Sequence, residues 1–191
     1  MFTVNIVGVF LPTGKDFSSA AGVVSALKKD VSAKLVATRS SDGPGEARDI
    51  FHHKQGTESG TDERKDSWWC VDLGESYRLF ITHCALRHGK KDGEAILQRW
   101  RLQGSTDGSK WTDLKTSPDS SDHSPFRAPH PYFTGRWAVE SEVGAFRYFR
   151  ILQKGRNSSG KYGIYLSGVE LYGTLVHLNS CHNTLNCGNL K

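Results

Sequence analysis

Cysteine is scarce in this chain, with Cys70, Cys84, Cys181 and Cys187 the only four among 191 residues. They are too few and too clustered to staple a domain of this length, which excludes a small secreted disulfide scaffold. Long apolar runs are missing as well. No stretch approaches the roughly 20 residues that cross a bilayer, so no membrane span is expected. The opening MFTVNIVGVFLPTG has neither a basic n-region nor a small-residue cleavage pattern, and it reads as a first strand rather than a secretion signal. Reduced thiols in an intracellular, cytoplasmic setting are the expectation that follows. No internal repeat, heptad or low-complexity block is present.

Catalytic signatures are also absent. There is no GxSxG elbow and no HExxH, and no Cys or His pair stands at ligand spacing. Cys181-His182 with Cys187 supplies two thiols and one imidazole, which do not close a zinc tetrahedron. His52, His53, His83, His88, His123 and His130 are scattered. Neither an enzyme nor a cofactor is expected. Basic charge is in excess, at a formal +5 with a pI near 9.0, but 25 basic residues are interspersed with 20 acidic ones and no basic run exceeds two. A solvated mixed surface accounts for that pattern better than a nucleic-acid partner does.

What the chain does have is strand grammar. Twenty glycines and 10% aromatics, at 37% hydrophobic content, fit an all-β domain of many short strands and turns. Ser67 to Gly104 packs three strand-like runs into fewer than forty residues. Trp69, Val71 and Leu73 share one face. Phe80 to Leu86 follows the Gly74-Glu75-Ser76 turn, and Trp100 to Gln103 alternates again. Cys70 and Cys84 fall nearly opposite one another if that turn closes a regular hairpin, with Cys84 inward and Cys70 on the outer face. Further strands are predicted over Val4–Phe10, Lys34–Thr38, Trp111–Leu114, from Trp137, over Phe146–Leu152 and over Leu166–Leu175. Asp107-Gly108 makes a hairpin between Trp100 and Trp111. A short helix opened by Ser18 or Ser19 is expected to run to Lys29, with a helical turn over Glu46–His52. Residues 1–175 form one domain in this reading, and 176–191 a flexible tail. Lys54–Lys65 and Ser117–Pro131 are polar surface loops.

Three signatures then fall in order: a WxVDLG run ending at Gly74, an SxDGxxW hairpin from Ser105 to Trp111, and FRYFRI followed by GVELYG. The series resembles the coagulation-factor 5/8 type C, or discoidin, family of galactose-binding-like jelly rolls. The fuller pattern is similar to the intracellular module of large HECT-type ubiquitin ligases and some BTB-domain proteins. Gly8-Val9-Phe10, Thr38 to Gly43, Ala85 to His88, Gln98-Arg99-Trp100, Lys154 to Gly160 and Tyr165 to Gly173 carry it. The resemblance implies a two-sheet antiparallel β-sandwich in jelly-roll order, which the strand count suggests independently. It also implies ligand-binding loops gathered at one end. Secreted relatives tie their ends with a disulfide, and this chain has no N-terminal cysteine for that. Related sandwiches use backbone oxygens of the loop corresponding to Ser40–Gly45 to hold calcium, for which a lone Asp42 is thin support.

Several polar constellations belong to those loops. Arg87-His88-Gly89-Lys90 leaves one strand and Arg99 enters the next, so cationic donors suited to carboxylates converge there. The structural alternative is that Arg87 or Arg99 pins the loop on its own carbonyls or on Asp72. Lys154 to Tyr162 faces that loop in a jelly-roll register. Gly155 to Lys161 matches GxxxxGK, but Tyr162 replaces the magnesium-binding Ser or Thr and a strand follows, so a flexible loop explains it better. Trp68, at the strand mouth, is either a stacking platform or an edge cap. The expected ligand-binding set is Arg39, Ser41, Asp42, Trp68, Arg87, His88, Lys90, Arg99, Lys154, Arg156, Asn157 and Tyr162. The expected function is non-catalytic capture of a protein or peptide partner, acidic or backbone-rich, in a ubiquitin-ligase-type assembly. A galactose-type lectin and a purely structural domain are the alternatives.

Overall fold

The computed structural model describes residues 2–13, 21–53, 58–116, 132–139 and 144–180. Among them, two antiparallel sheets face each other across one core. The four-stranded sheet has the order β1-β9-β4-β7 and the five-stranded sheet β2-β3-β8-β5-β6. The strands are β1 Phe2–Phe10, β2 Val36–Arg39, β3 Trp68–Asp72, β4 Tyr77–His88 and β5 Trp100–Ser105. β6 Thr112–Thr116, β7 Thr134–Ala138, β8 Tyr148–Gln153 and β9 Leu166–Ser180 follow. A helix, α1 Val23–Lys29, and a 3-10 turn at Ala47–Phe51 pack against β9. The predicted sandwich is therefore present.

Alternation explains the core. Trp69, Val71 and Leu73 are fully buried on the inner face of the five-stranded sheet, as are Phe149 and Ile151 of the neighbouring β8. From the opposite sheet come Leu79, Leu86, Val169, Leu171 and Leu175, also fully buried. Each such side chain removed from water contributes about 2 kcal/mol. Trp100 of β5 meets Trp137 of β7 edge to face, with ring centroids 4.9 Å apart, and so ties the two sheets together.

Four expectations need correction. β3 and β4 do not form a hairpin: the turn at Gly74, where φ is +92°, passes the chain from one sheet to the other. Both strands bury apolar residues in the same core from opposite sides, and Cys70 and Cys84 consequently lie in different sheets, both as free thiols. Cys84 is fully buried, and Cys70, although on the outer face, is 7% exposed. α1 begins at Val23 after Gly22, without a side-chain cap of its own; the expected start at Ser18 or Ser19 lies outside the described residues. Residues 176–180 are strand, not tail, because Ile6 to Phe2 of β1 pair with Val176 to Ser180. The strand predicted over 34–38 runs from Val36 to Arg39, where its ladder with β3 begins and ends. All of Ser117–Pro131, the whole tail segment 181–191 with Cys181 and Cys187, and residues 54–57 lie outside the described residues.

Candidate functional site

Strand register decides which loops meet. Arg39 pairs with Trp69, Trp68 with Leu152 and Trp100 with Gln153 in one sheet, while Arg87 pairs with Thr134 and His88 with Leu166 in the other. The segments 40–46, 58–67, 89–99 and 154–165 are thereby gathered at one pole. They bond to one another directly. Thr61 donates its N–H to the Ile164 carbonyl at 3.0 Å, Gly89 to Tyr165 at 3.0 Å, Ser158 to Ile96 at 2.9 Å and Gly60 to Pro44 at 2.9 Å. Backbone bonds between loops, rather than within them, give a fixed rim.

Beneath the rim lies a buried polar frame. The Asn157 side chain accepts the N–H groups of Ser159 and Lys161, each at 3.1 Å, and donates to Gly163. Gln153, fully buried, accepts the Gly163 N–H at 2.8 Å, and Thr61 Oγ1 accepts that of Ile164 at 3.0 Å. Buried polar groups partnered in this way fix one arrangement, with the Gln153 Nε2 left without a hydrogen-bond partner. Arg39 belongs to the same frame. Its guanidinium donates to four carbonyls, those of Pro44, Gly60, Gly43 and Gly45, at 2.9, 2.7, 3.1 and 2.7 Å. It also lies 5.6 Å over the Trp69 ring. A calcium ion does not fit the Ser40–Gly45 loop, since three of its carbonyls already converge on a guanidinium. Among the described residues no group of three or more acidic, His or Cys side chains could hold a metal.

The sequence-predicted residues divide by depth. Arg87, 6% exposed, donates to the His53 carbonyl at 2.5 Å and to Thr134 Oγ1 at 3.3 Å. That is the pinning alternative, with a different acceptor; Asp72 instead takes a two-pronged bond from Arg147, at 2.7 and 2.8 Å. His88 is 2% exposed, its carbonyl accepts Ser167 Oγ at 2.8 Å, and burial pushes its imidazole pKa down. Ser41 Oγ accepts the Asp62 N–H at 2.9 Å. Arg99 accepts the Lys154 N–H on its carbonyl at 2.8 Å and lays its stem against Gly155. The remaining members reach the surface. Asp42 is exposed 3.5 Å from Arg39 Nε, and Trp68 is half-buried. Lys90 Nζ stands 4.6 Å over the Tyr165 ring and Arg156 5.1 Å over Tyr162, while Lys154 pairs with Asp66 at 3.1 Å. Arg156 also donates to the Gly160 carbonyl at 2.6 Å. The GxxxxGK match is a loop that leads into β9, with no helix following.

Sequence reasoning passed over Tyr165 and the Lys161–Glu63 pair at 3.0 Å. The signal for Tyr165 was its position at the entrance of a strand, directly after a loop already under suspicion. A cavity of about 440 Å³ lies apart from the pole, on the flank between α1, β2 and the 3-10 turn, lined by Leu27, Lys28, Leu35, Val36 and Phe51 among others. None of the predicted binding residues lines it.

The comparisons with known proteins find the sandwich fold again. Residues 39–129 match the F5/8 type C family model, described as a NedA-like, galactose-binding domain. The discoidin-type resemblance read from the sequence is thus met by that family's own model. The chain is 37% identical over 120 residues to the E3 ubiquitin-protein ligase Ufd4 of Drosophila melanogaster, an alignment covering 61% of this chain and 4% of the ligase. It is similar to the E3 ubiquitin-protein ligase hecd-1 of Caenorhabditis elegans at the same identity and coverage. A BTB/POZ domain-containing protein of Arabidopsis thaliana is 33% identical over 56% of this chain and 13% of its own length. The chain therefore spans a small fraction of each of these relatives. Among solved structures, a carbohydrate-binding module of Clostridium perfringens in complex with GalNAc-β-1,3-galactose superposes with a TM-score of 0.57 at 14% identity, over 73% of this chain and 95% of that one. The fucolectin of striped bass gives 0.56 at 17% identity, over 81% and 47%. At such identities the likeness in three dimensions is one of fold alone.

Proposed function

We propose that this chain is a non-catalytic recognition module that captures an acidic protein segment at the loop pole, within a cytoplasmic ubiquitin-ligase-type assembly. The observation that carries this reading is the pair of cation-covered tyrosines, Lys90 over Tyr165 and Arg156 over Tyr162. A cation held over a ring on a bonded frame, Arg156 exposed and Lys90 half-buried, presents positive charge with little conformational freedom left to lose. Lys154 and Lys161 are engaged by Asp66 and Glu63 in exposed pairs, which are worth little and exchange readily for a ligand carboxylate. Similarity to two ubiquitin ligases supports the setting.

A second reading, a galactose-type lectin, draws support from the family model and from relatives of the same fold that bind sugars. Sugar stacking needs an open aromatic face, and the two pole tyrosines each carry a cation on one face; among the described residues half-buried Trp68 is a further platform. Selection of a random peptide library on the folded domain, run beside a glycan array, separates the two. Enrichment of acidic peptides that disappears in Lys90→Ala/Arg156→Ala supports peptide capture. Binding of galactosides that disappears in Trp68→Ala instead replaces it with the lectin reading.

A further inference from the structure

The hollow on the flank, away from the pole, is bounded by α1, by β2 with the residues leading into it, and by the 3-10 turn. The sequence explains why space is left there. Leu27, in the last turn of α1, and Phe51, the last residue of the 3-10 turn, are both buried and form two of the walls. Ala33, Leu35 and Ala37 are half-buried in alternation with exposed Lys34, Val36 and Thr38, and they pack against the core from the third side. Two of those three side chains end at Cβ. A leucine at either alanine would fill the gap, and protein interiors are ordinarily filled, because an open apolar cavity forfeits contacts. The volume of about 440 Å³ lies within the range of pockets that take one small ligand, roughly 300–1,000 Å³.

The charged part of the lining has one sign. Lys28, Arg48 and His52 belong to it, and none of the lining residues is acidic. Lys28 Nζ donates to the Phe51 carbonyl at 3.1 Å, a neutral acceptor that leaves its charge unanswered. Arg48 meets the carboxylate of Glu46 at 2.5 Å, in a pair whose side chains are 71 and 63% exposed. Such a pair is worth little and reopens readily for another carboxylate. Asp49 stands 3.7 Å from His52 Nδ1, and its second oxygen is held by the Glu46 N–H at 2.7 Å.

We propose that the flank hollow binds a small organic carboxylate, with its apolar body against Leu27, Leu35 and Phe51 and its head between Lys28 and Arg48. Charge selects the head. A cationic amphiphile meets charge of its own sign at the mouth, and a carboxylate accepts charge-assisted bonds from both side chains. The walls select the body, since removing apolar surface from water is what holds a ligand in a hollow of this kind. Acetate brings the head without the body, and so lacks half of the interaction.

Decanoate is the probe. Titrated into the isotope-labelled whole chain and followed by two-dimensional NMR, it should shift the amides of residues 27–37 and 48–52 saturably. Lys28→Gln/Arg48→Gln should weaken that binding about tenfold or more. Ala37→Leu and, independently, Ala33→Leu should abolish it by filling the hollow, with circular dichroism unchanged. Acetate and decyltrimethylammonium should give no saturable shift at the same residues. The absence of a saturable response to decanoate would overturn the inference, and so would shifts centred instead on exposed Val4, Ile6 and Val9 of β1. Undiminished binding by the Lys28→Gln/Arg48→Gln chain would overturn it as well, by showing an apolar hollow indifferent to charge.

Discussion

The Glu170 carboxylate of β9 accepts the backbone N–H of Val24 at 2.7 Å, across 146 residues of sequence. It also takes the N–H and Oγ of Ser25, at 3.2 and 2.6 Å. α1 has no side-chain cap of its own, and the sheet supplies one. The carboxylate is fully buried, and desolvation lifts its pKa from 4.5 to about 7 in spite of those donors.

A pH dependence of stability follows, with two opposing parts. For Glu170 the folded pKa is the higher one, so its contribution is whole below 4.5 and is lost as pH rises through about 7. The loss is on the order of 3 kcal/mol at 1.36 kcal/mol per pKa unit. His53, whose ring bonds to the Val169 carbonyl at 2.9 Å, goes the other way: burial lowers its pKa from 6.5 to about 4, so stability is lost as pH falls through that window. The two slopes oppose each other in the parent. Glu170→Gln should therefore become more acid-sensitive than the parent, and His53→Gln should lose stability as pH rises from 4.5 to 7. Thermal unfolding midpoints across that range decide. Three superimposable profiles would refute both assignments.

Arg39 should prove a structural residue with an effect on the pole. Arg39→Ala strands four carbonyls that now share one guanidinium, and Arg39→Lys cannot reproduce the planar fork. Loss of roughly 2–4 kcal/mol is expected from Arg39→Ala, with somewhat less from Arg39→Lys. Urea titration measures it, and limited proteolysis should show new cleavage between residues 40 and 46. A lysine variant as stable as the parent would show that charge alone, not the fork, holds the loop.

Cys70 and Cys84 are expected to be inert while the protein is folded. Burial pushes both thiols up to about 12, so almost no thiolate exists at neutral pH. They stand in different sheets and cannot pair without unfolding. Iodoacetamide at mildly alkaline pH, read by peptide mass spectrometry, should leave both unmodified in native protein and label both in urea. Native labelling of Cys70 would mean that the outer face of β3 opens locally.

What could be read from the sequence was what is local. Trp69, Val71 and Leu73 show their shared face by alternation, and Asp107-Gly108 announces its turn because Asp107 bonds the N–H groups of Ser109 and Lys110 within three residues. The change of sheet at Gly74 was not legible, since a period of two says which face is buried and not which strand lies alongside. The cap of α1 was hidden for the same reason, its donor and acceptor being far apart in the chain. At the pole, residue types did not show where their donors go. Arg39, Arg87 and Asn157 carry the donors expected of binding residues, yet they spend them on backbone carbonyls, which no sequence displays. Lys90 and Arg156 stayed at the surface because a tyrosine lay beneath each.

Gly173 sits where β9 crosses between β1 and β4, opposite Phe10 on one side and Ile81 on the other. Its φ is +143°, and a Cβ there would lie 2.0 Å from the Phe80 carbonyl oxygen and 3.0 Å from Ile81 Cα. Both obstacles are backbone of a central strand, so no rotamer can relieve them. Gly93 provides the comparison: its φ is +69°, but nothing lies within 4 Å of a Cβ. Gly93→Ala should cost about 1 kcal/mol from backbone conformation alone. Gly173→Ala adds a collision in the middle of a sheet and should cost more than about 3 kcal/mol or prevent folding. Equal losses in chemical denaturation would show that β4 yields at the neighbouring bulge between Ile81 and His83, and that the β9–β4 spacing is softer than its hydrogen bonding suggests.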